Sequence, residues 1–179
     1  MVGPPERTEA APYYFTYIDR IKNPDIVAEL EGQLESFPAF LRGISEDKSL
    51  HRYAPDKWSI RQTLGHINDA ERVFASRAFW FARRFDTPMP SFDQNVAVNA
   101  ANADKCCWAT HIDDFIAVRS ATLSLFRNLP PEAWLRKGIA SENPFTVRAL
   151  AYVIAGHVVH HRLILETRYL QLESARSAS

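Results

Sequence analysis

Residues 146–172 place two histidines inside an apolar stripe, and that arrangement constrains the chain more than any other feature. Leu150, Ile154, His157, His161 and Ile164 recur every three or four residues, the spacing at which side chains share one face of an α-helix. A face of this kind has to be buried, so the helix needs neighbours, and both imidazoles go into the core with the aliphatic side chains. An unmet imidazole is costly to bury, and two adjacent rings cannot both carry a proton cheaply. A divalent cation resolves both problems, because neutral imidazole is its ligand.

Three further stretches provide neighbours. Ile26, Leu30, Leu34, Phe37, Leu41 and Ile44 follow Asn23-Pro24, which reads as a cap residue with proline at the first helical position. Pro38 lies inside this pattern and lacks an amide donor, which predicts a kink or break. Ser59 and Gln62 have capping-box spacing and open a second helix that ends near Arg84. Its face is Ile60, Leu64, Ile67, Phe74, Ala78 and Phe81. Thr110 with Asp113 opens a third helix, striped by Ile112, Phe115, Ile116, Leu123 and Phe126 and stopping before Pro130-Pro131. The fourth opens at Thr146, with Phe145 and Leu150 at staple positions. Residues 86–109 form a long connection of the kind that crosses over a fold or carries function. With no convincing strand alternation or internal repeat, the expected fold is all-α, a four-helix bundle with one long crossover. Residues 1–22 read as an extended N-terminal arm whose Tyr13, Tyr14, Phe15 and Tyr17 lie on the body, residues 23–172 as the bundle, and residues 173–179 as a frayed tail.

Length and composition remove other classes. A chain of 179 residues makes one domain with a sizeable core. Lys plus Arg and Asp plus Glu are 21 each, so no basic surplus exists to neutralise phosphates, and nucleic acid is a poor partner. Cys106 and Cys107 are adjacent and frame neither a disulfide scaffold nor a C-x-x-C site. The longest apolar stretch, Ala149 to Gly156, is far short of the ~20 residues that span a bilayer. The opening MVGPPERTEAAP carries prolines and acids where a signal peptide has an apolar core. The chain reads as soluble and cytoplasmic, with no membrane partner.

His66 offers a third ligand. It lies about 70° from the centre of the second helix's apolar arc, on the flank with Ala70 and Val73, and can turn toward a neighbouring helix. Three histidines from two helices leave coordination positions open, as catalytic sites do. Histidines spaced by four on a helix also arise by chance as satisfied core residues, and spacing alone does not prove that the two helices meet. His160, rotated about 60° from His157, reads as an edge residue or a donor to a ligand. His51 and His111 read as loop or cap residues. A metalloprotease H-E-x-x-H is excluded by Val158. Glu71 and Arg168 border these faces as substrate groups or, by default, as snorkelling or ion-paired charges. Trp58 reads as packing and Cys106-Cys107-Trp108 as packing by default or else a redox-active pair, and no Gly-rich phosphate loop or G-x-S-x-G elbow is present. For unshifted histidines, metal binding should weaken below about pH 6.

Two segments, KWSIRQTLGHINDAERVF at 57–74 and AGHVVHHRLILETRYL at 155–170, resemble the DinB/YfiT-like family. RNLPPEAW and FTVRALAYVIAGH fit its long-loop branch, so the resemblance covers about residues 24–172. It implies an up-down-down-up bundle, commonly a homodimer, with a divalent metal, zinc or nickel, held by one histidine of the second helix and two spaced by four on the last. Those positions are His66, His157 and His161. The resemblance further implies a metal-dependent enzyme, foremost a transferase using a low-molecular-weight thiol such as bacillithiol or mycothiol. The alternatives are a metal-dependent hydrolase or a non-catalytic, metal-stabilised dimeric bundle of the stress response. Relatives often read H-H-R-G-Q, whereas here Arg162 is followed by Leu163 and Ile164.

Overall fold

The computed structural model describes residues 2–171. A single 3-10 turn over Pro12–Tyr14 leads into α1 (Phe15–Ile18), and the four long helices are α2 (Ile26–Arg42), α3 (Ile60–Ala82), α5 (Trp108–Arg127) and α6 (Val147–Ile164). Between α3 and α5 lies α4 (Gln94–Ala101), and before α6 a hairpin joins β1 (Lys137–Ala140) to β2 (Asn143–Thr146). The expected frayed tail, residues 173–179, lies outside the described residues.

Contacts between the helices fix their directions. Moving along α2 and α5, Glu31 meets Arg127, Gln33 meets Arg119, and the Leu41 carbonyl meets Trp108, so these two are antiparallel. Asn68 and Arg72 of α3 reach Asp114, and Glu71 reaches Arg119, so α3 and α5 run the same way. Tyr152 meets Asn23 and Pro24, while Gln33 meets the Ala155 carbonyl, so α6 is parallel to α2. The bundle is therefore up-down-down-up.

Local chemistry explains most helix starts. The Ser59–Gln62 capping box forms on both sides, and Thr146 Oγ1 accepts from the Ala149 amide. At α2 the cap moves to Asp25, whose Oδ1 takes the Val27 and Ala28 amides, while Asn23 accepts from Asp25. Pro38 does not break α2, which runs through it to Arg42 with Pro38 and Phe37 buried. The third long helix begins two residues before Thr110, because Trp108 is drawn into the core and donates from Nε1 to the Leu41 carbonyl at 3.1 Å. The expected arm is not extended throughout, since residues 12–18 are helical and Phe15 and Ile18 are buried in the core.

Two elements escaped the sequence reading. Within the long connection, α4 has Asp93 as a cap but only one buried side chain, Val98, so it carries little apolar period. The hairpin strands have four residues each, and the turn residues Ser141 and Glu142 have φ of 51° and 62°. Hairpin turns of that conformation are normally announced by Asn-Gly or Asp-Gly, and neither pair is present here.

The core consists of two apolar clusters. One gathers Leu30, Phe81, Leu123, Phe126 and Ile154, and the other Phe37, Leu64, Ile67, Phe115 and Val158. At the level between them lie buried polar groups. Arg119 pairs with both carboxylate oxygens of Glu71 at 2.8 Å and donates to Gln33 Oε1, whose amide nitrogen donates to the Ala155 carbonyl. Glu71 is thus part of a core ion pair joining α2, α3, α5 and α6.

Candidate metal centre

The N-terminal half of α3 and the C-terminal half of α6 pass each other with histidines inward. His157 Nε2 lies 3.1 Å from His66 Nε2 and 3.0 Å from His161 Nε2, and the three ligand atoms fall within 4.8 Å of one another. His66 and His157 are buried, and His161 is half-buried. Burial is the first cause of their shifted titration: it lowers His66 to about 4 and His161 to about 3, and it holds His157 well below 6.5. The neighbouring histidines add to the shift, since a proton on one ring repels a proton on the next. The rings are therefore neutral near pH 7, the state in which imidazole ligates.

Two of the three spacings suit ligands of one metal ion. With metal–nitrogen bonds of about 2.0–2.1 Å, two nitrogens on one ion lie about 2.9 Å apart at a right angle and about 3.4 Å apart at the tetrahedral angle. The observed 3.0 and 3.1 Å separations fall between these limits. His66 Nε2 is the atom that faces the cluster, while its Nδ1 is buried with no hydrogen-bond partner among the described residues.

The surroundings hold these rings in place. Tyr17 packs edge-on against both His157 and His160 at 5.3 Å between centroids, and Trp58 lies 5.0 Å from His66. Gly156 lets α1 come this close, because a Cβ there would sit 2.2 Å from the Tyr17 carbonyl oxygen. One cavity of about 480 Å³ touches His66 and His157, and a second of about 260 Å³ touches His161 and Trp58. Gln94 and Asn95, at the start of α4, line one cavity each.

The sequence-derived candidates divide as follows. His66, His157 and His161 are brought together, whereas His160 stays outside the cluster with Nδ1 buried and without a hydrogen-bond partner among the described residues. His111 bonds the Ala103 carbonyl and His51 is exposed. Glu71 is committed to Arg119, and Arg168 lies over the Tyr53 ring. Cys106 and Cys107 are exposed thiols, Cys107 lying 2.9 Å from Thr110 Oγ1. Trp58 packs against His66 and lines the second cavity. Tyr17 and Arg77 also line the site and were missed. Arg77 had a signal, because it stands eleven residues after His66, about 20° from the same helix face.

Comparison with known proteins agrees with this architecture. No curated protein matches the chain. YfiT from Bacillus subtilis, described as "a probable metal-dependent hydrolase with an unusual four-helix bundle topology", superposes with a TM-score of 0.69 at 14% identity, over 95% of this chain and 93% of that one. The mycothiol-dependent maleylpyruvate isomerase superposes with a TM-score of 0.64 at 11% identity, and its match covers 80% of this chain but only 61% of the isomerase. The DinB superfamily model matches residues 29–165, a span that contains α3, α5, α6 and all three converging histidines, and the chain belongs to that superfamily.

Proposed function

We propose that His66, His157 and His161 hold one divalent metal ion and that the chain is a metal-dependent enzyme acting on a small molecule at that centre. The observation that carries this reading is the convergence of three neutral Nε2 atoms from two helices, two of the rings lining one cavity and the third lining another. A metal bound there, zinc or nickel by family resemblance, supplies positive charge that favours the deprotonated form of an incoming thiol. The chain's residues then have separable tasks. The three histidines hold the ion, Tyr17 and Phe74 confine the His157 ring, and the Tyr17 phenol, kept protonated by burial, pairs with the Tyr13 hydroxyl at the cavity wall.

The larger cavity offers little as a general base. Its one carboxylate among the described lining residues is Asp93, whose Oδ1 already accepts the Asn95 and Val96 amides. A cation eases loss of a proton to solvent from a bound thiol and from a bound water alike, so this lining suits either, and the leading reading, by family resemblance, is sulfur transfer from a low-molecular-weight thiol to an electrophile. Metal-dependent hydrolysis is the second reading, supported by the description of YfiT. Cobalt-substituted protein distinguishes them. Titration with glutathione, bacillithiol and mycothiol should raise a sulfur-to-cobalt absorption band for at least one thiol, absent in His161→Ala. Perturbation by carboxylates or phosphates alone would favour hydrolysis, and no response to any of them would favour a non-catalytic, metal-stabilised bundle. The resemblance also carries a homodimer, for which light scattering should give twice the 20.4 kDa chain mass.

A further inference from the structure

Three arginines are buried among the described residues, and two of them meet a carboxylate. Arg119 (0% exposed) pairs with Glu71, and Arg61 (4%) pairs with Glu46. Arg77 (3%) forms no ion pair with any described residue. Its Nη2 donates to the Pro90 carbonyl and to Ser141 Oγ, each at 2.8 Å, and the Phe74 ring at 5.7 Å and the Tyr14 phenol, a hydrogen-bonding neighbour, lie beside it. All of these are neutral. A guanidinium taken out of water and answered only by neutral groups keeps much of its desolvation penalty. Its Nε and Nη1 retain three N–H groups with no carbonyl or carboxylate of the described residues bonded to them, and each nitrogen can give a single charge-assisted hydrogen bond to a carboxylate oxygen.

The group is buried but not sealed. Arg77 and Ser141 line the same 480 Å³ cavity as His66 and His157. His66, Ala70, Phe74 and Arg77 succeed one another along one face of α3, so the helix forms a floor from the histidine cluster to the guanidinium, about 16 Å between the end Cα atoms. Ala70 and Phe74 make the middle of that floor apolar, and the cavity's carboxylate, Asp93, is solvent-exposed. Ser141 is held against Arg77 by a hairpin turn in left-handed backbone, a conformation that non-glycine residues adopt at a cost.

We infer that Arg77 is a specificity-determining anion receptor, and that the substrate or cosubstrate is an elongated molecule with a carboxylate at Arg77, an apolar middle over Ala70 and Phe74, and its reacting group at the histidine cluster. The placement of the reacting end rests on the metal-centre reading; the carboxylate at Arg77 does not.

The test is calorimetric titration of zinc-loaded protein with 8-mercaptooctanoate, its primary amide and octanedioate, in the native chain and in Arg77→Gln. The native protein should bind the mercapto-acid at least tenfold more tightly than the amide, and the ratio should fall to about one in Arg77→Gln while zinc content and helical circular dichroism stay unchanged. Equal affinity for acid and amide in the native protein would overturn the inference and leave thiol binding intact. If no thiol binds but octanedioate does, with at least tenfold loss in Arg77→Gln, the receptor stands and the thiol reading fails. If octanedioate fails as well, the receptor fails. Should Arg77→Gln not fold, the acid–amide comparison in the native chain decides alone.

Discussion

His66, His157 and His161 are basic groups that folding keeps uncharged, and this makes the protein sensitive to acid. In the unfolded chain each takes up a proton near pH 6.5, whereas in the fold His66 does so only near 4 and His161 near 3. Between those values the unfolded state binds more protons, so stability is full above about pH 7 and falls as pH drops from about 6.5 toward 4. His66 alone should contribute a loss of about 3 kcal/mol across that window. Urea unfolding of metal-free protein at pH 7.5, 6 and 5 measures this, and a flat profile would contradict it. The same shifts move the metal's acid limit. Rings that stay neutral to about pH 4 should retain the ion at pH 5, below the limit of about 6 expected for unshifted histidines. Elemental analysis should find about one metal per chain, lost in His66→Ala, His157→Ala or His161→Ala and largely kept in His160→Ala. Equal loss in all four would sink the ligand assignment. The i, i+4 pair on an apolar stripe was legible at this scale because spacing reports which face a side chain takes. The charges of Arg119 and Arg77 were not, because a formal charge conceals a burial that only a partner or a ligand makes affordable.

At the scale of elements, caps were the most transferable signals. Ser59 and Thr146 perform the roles their sequence positions suggest, whereas the α2 and α5 starts shifted by two residues because Asp25 caps better in place and Trp108 is pulled into the core. Ser59→Ala should remove about 1 kcal/mol of stability by urea denaturation, since the Gln62 amide loses its acceptor. The contact of α1 with α6 is more demanding. Gly156→Ala would drive a methyl group into the Tyr17 carbonyl, and overpacking of this kind costs about 1–3 kcal/mol. Because the backbone oxygen cannot rotate away, the expected relief is displacement of α1, visible as faster amide exchange at residues 15–18. Exchange there at the native rate would show that α6 yields instead. Short elements such as α4 and the hairpin went unread because four or eight residues hold too few periods, and their signals come from partners such as Met89, whose amide bonds the Ile139 carbonyl.

For the whole molecule, the polar layer of Gln33, Glu71 and Arg119 joins four helices beside the histidine cluster. Glu71→Ala leaves a guanidinium buried without its counter-charge, which should cost about 3–5 kcal/mol and lower the thermal midpoint by about 10 °C. Glu71→Leu combined with Arg119→Met leaves no buried charge and should cost less than the single change, as differential scanning calorimetry can compare. Metal should raise the midpoint by mass action, yet the two apolar clusters should keep the bundle folded without it. A metal-free chain that is unfolded would make the site a structural one. The sequence by itself determined four amphipathic helices, two of their caps and three histidines able to meet, because periodicity and capping are set by neighbours within about one helical turn. Tertiary structure alone decided that those histidines converge at 3.0 and 3.1 Å, that Tyr17 lies over His157, and that Ser141 reaches Arg77 from 64 residues away. Local spacing states which way a side chain points; what it meets depends on chain segments far off in sequence, and those are brought together only by packing the core.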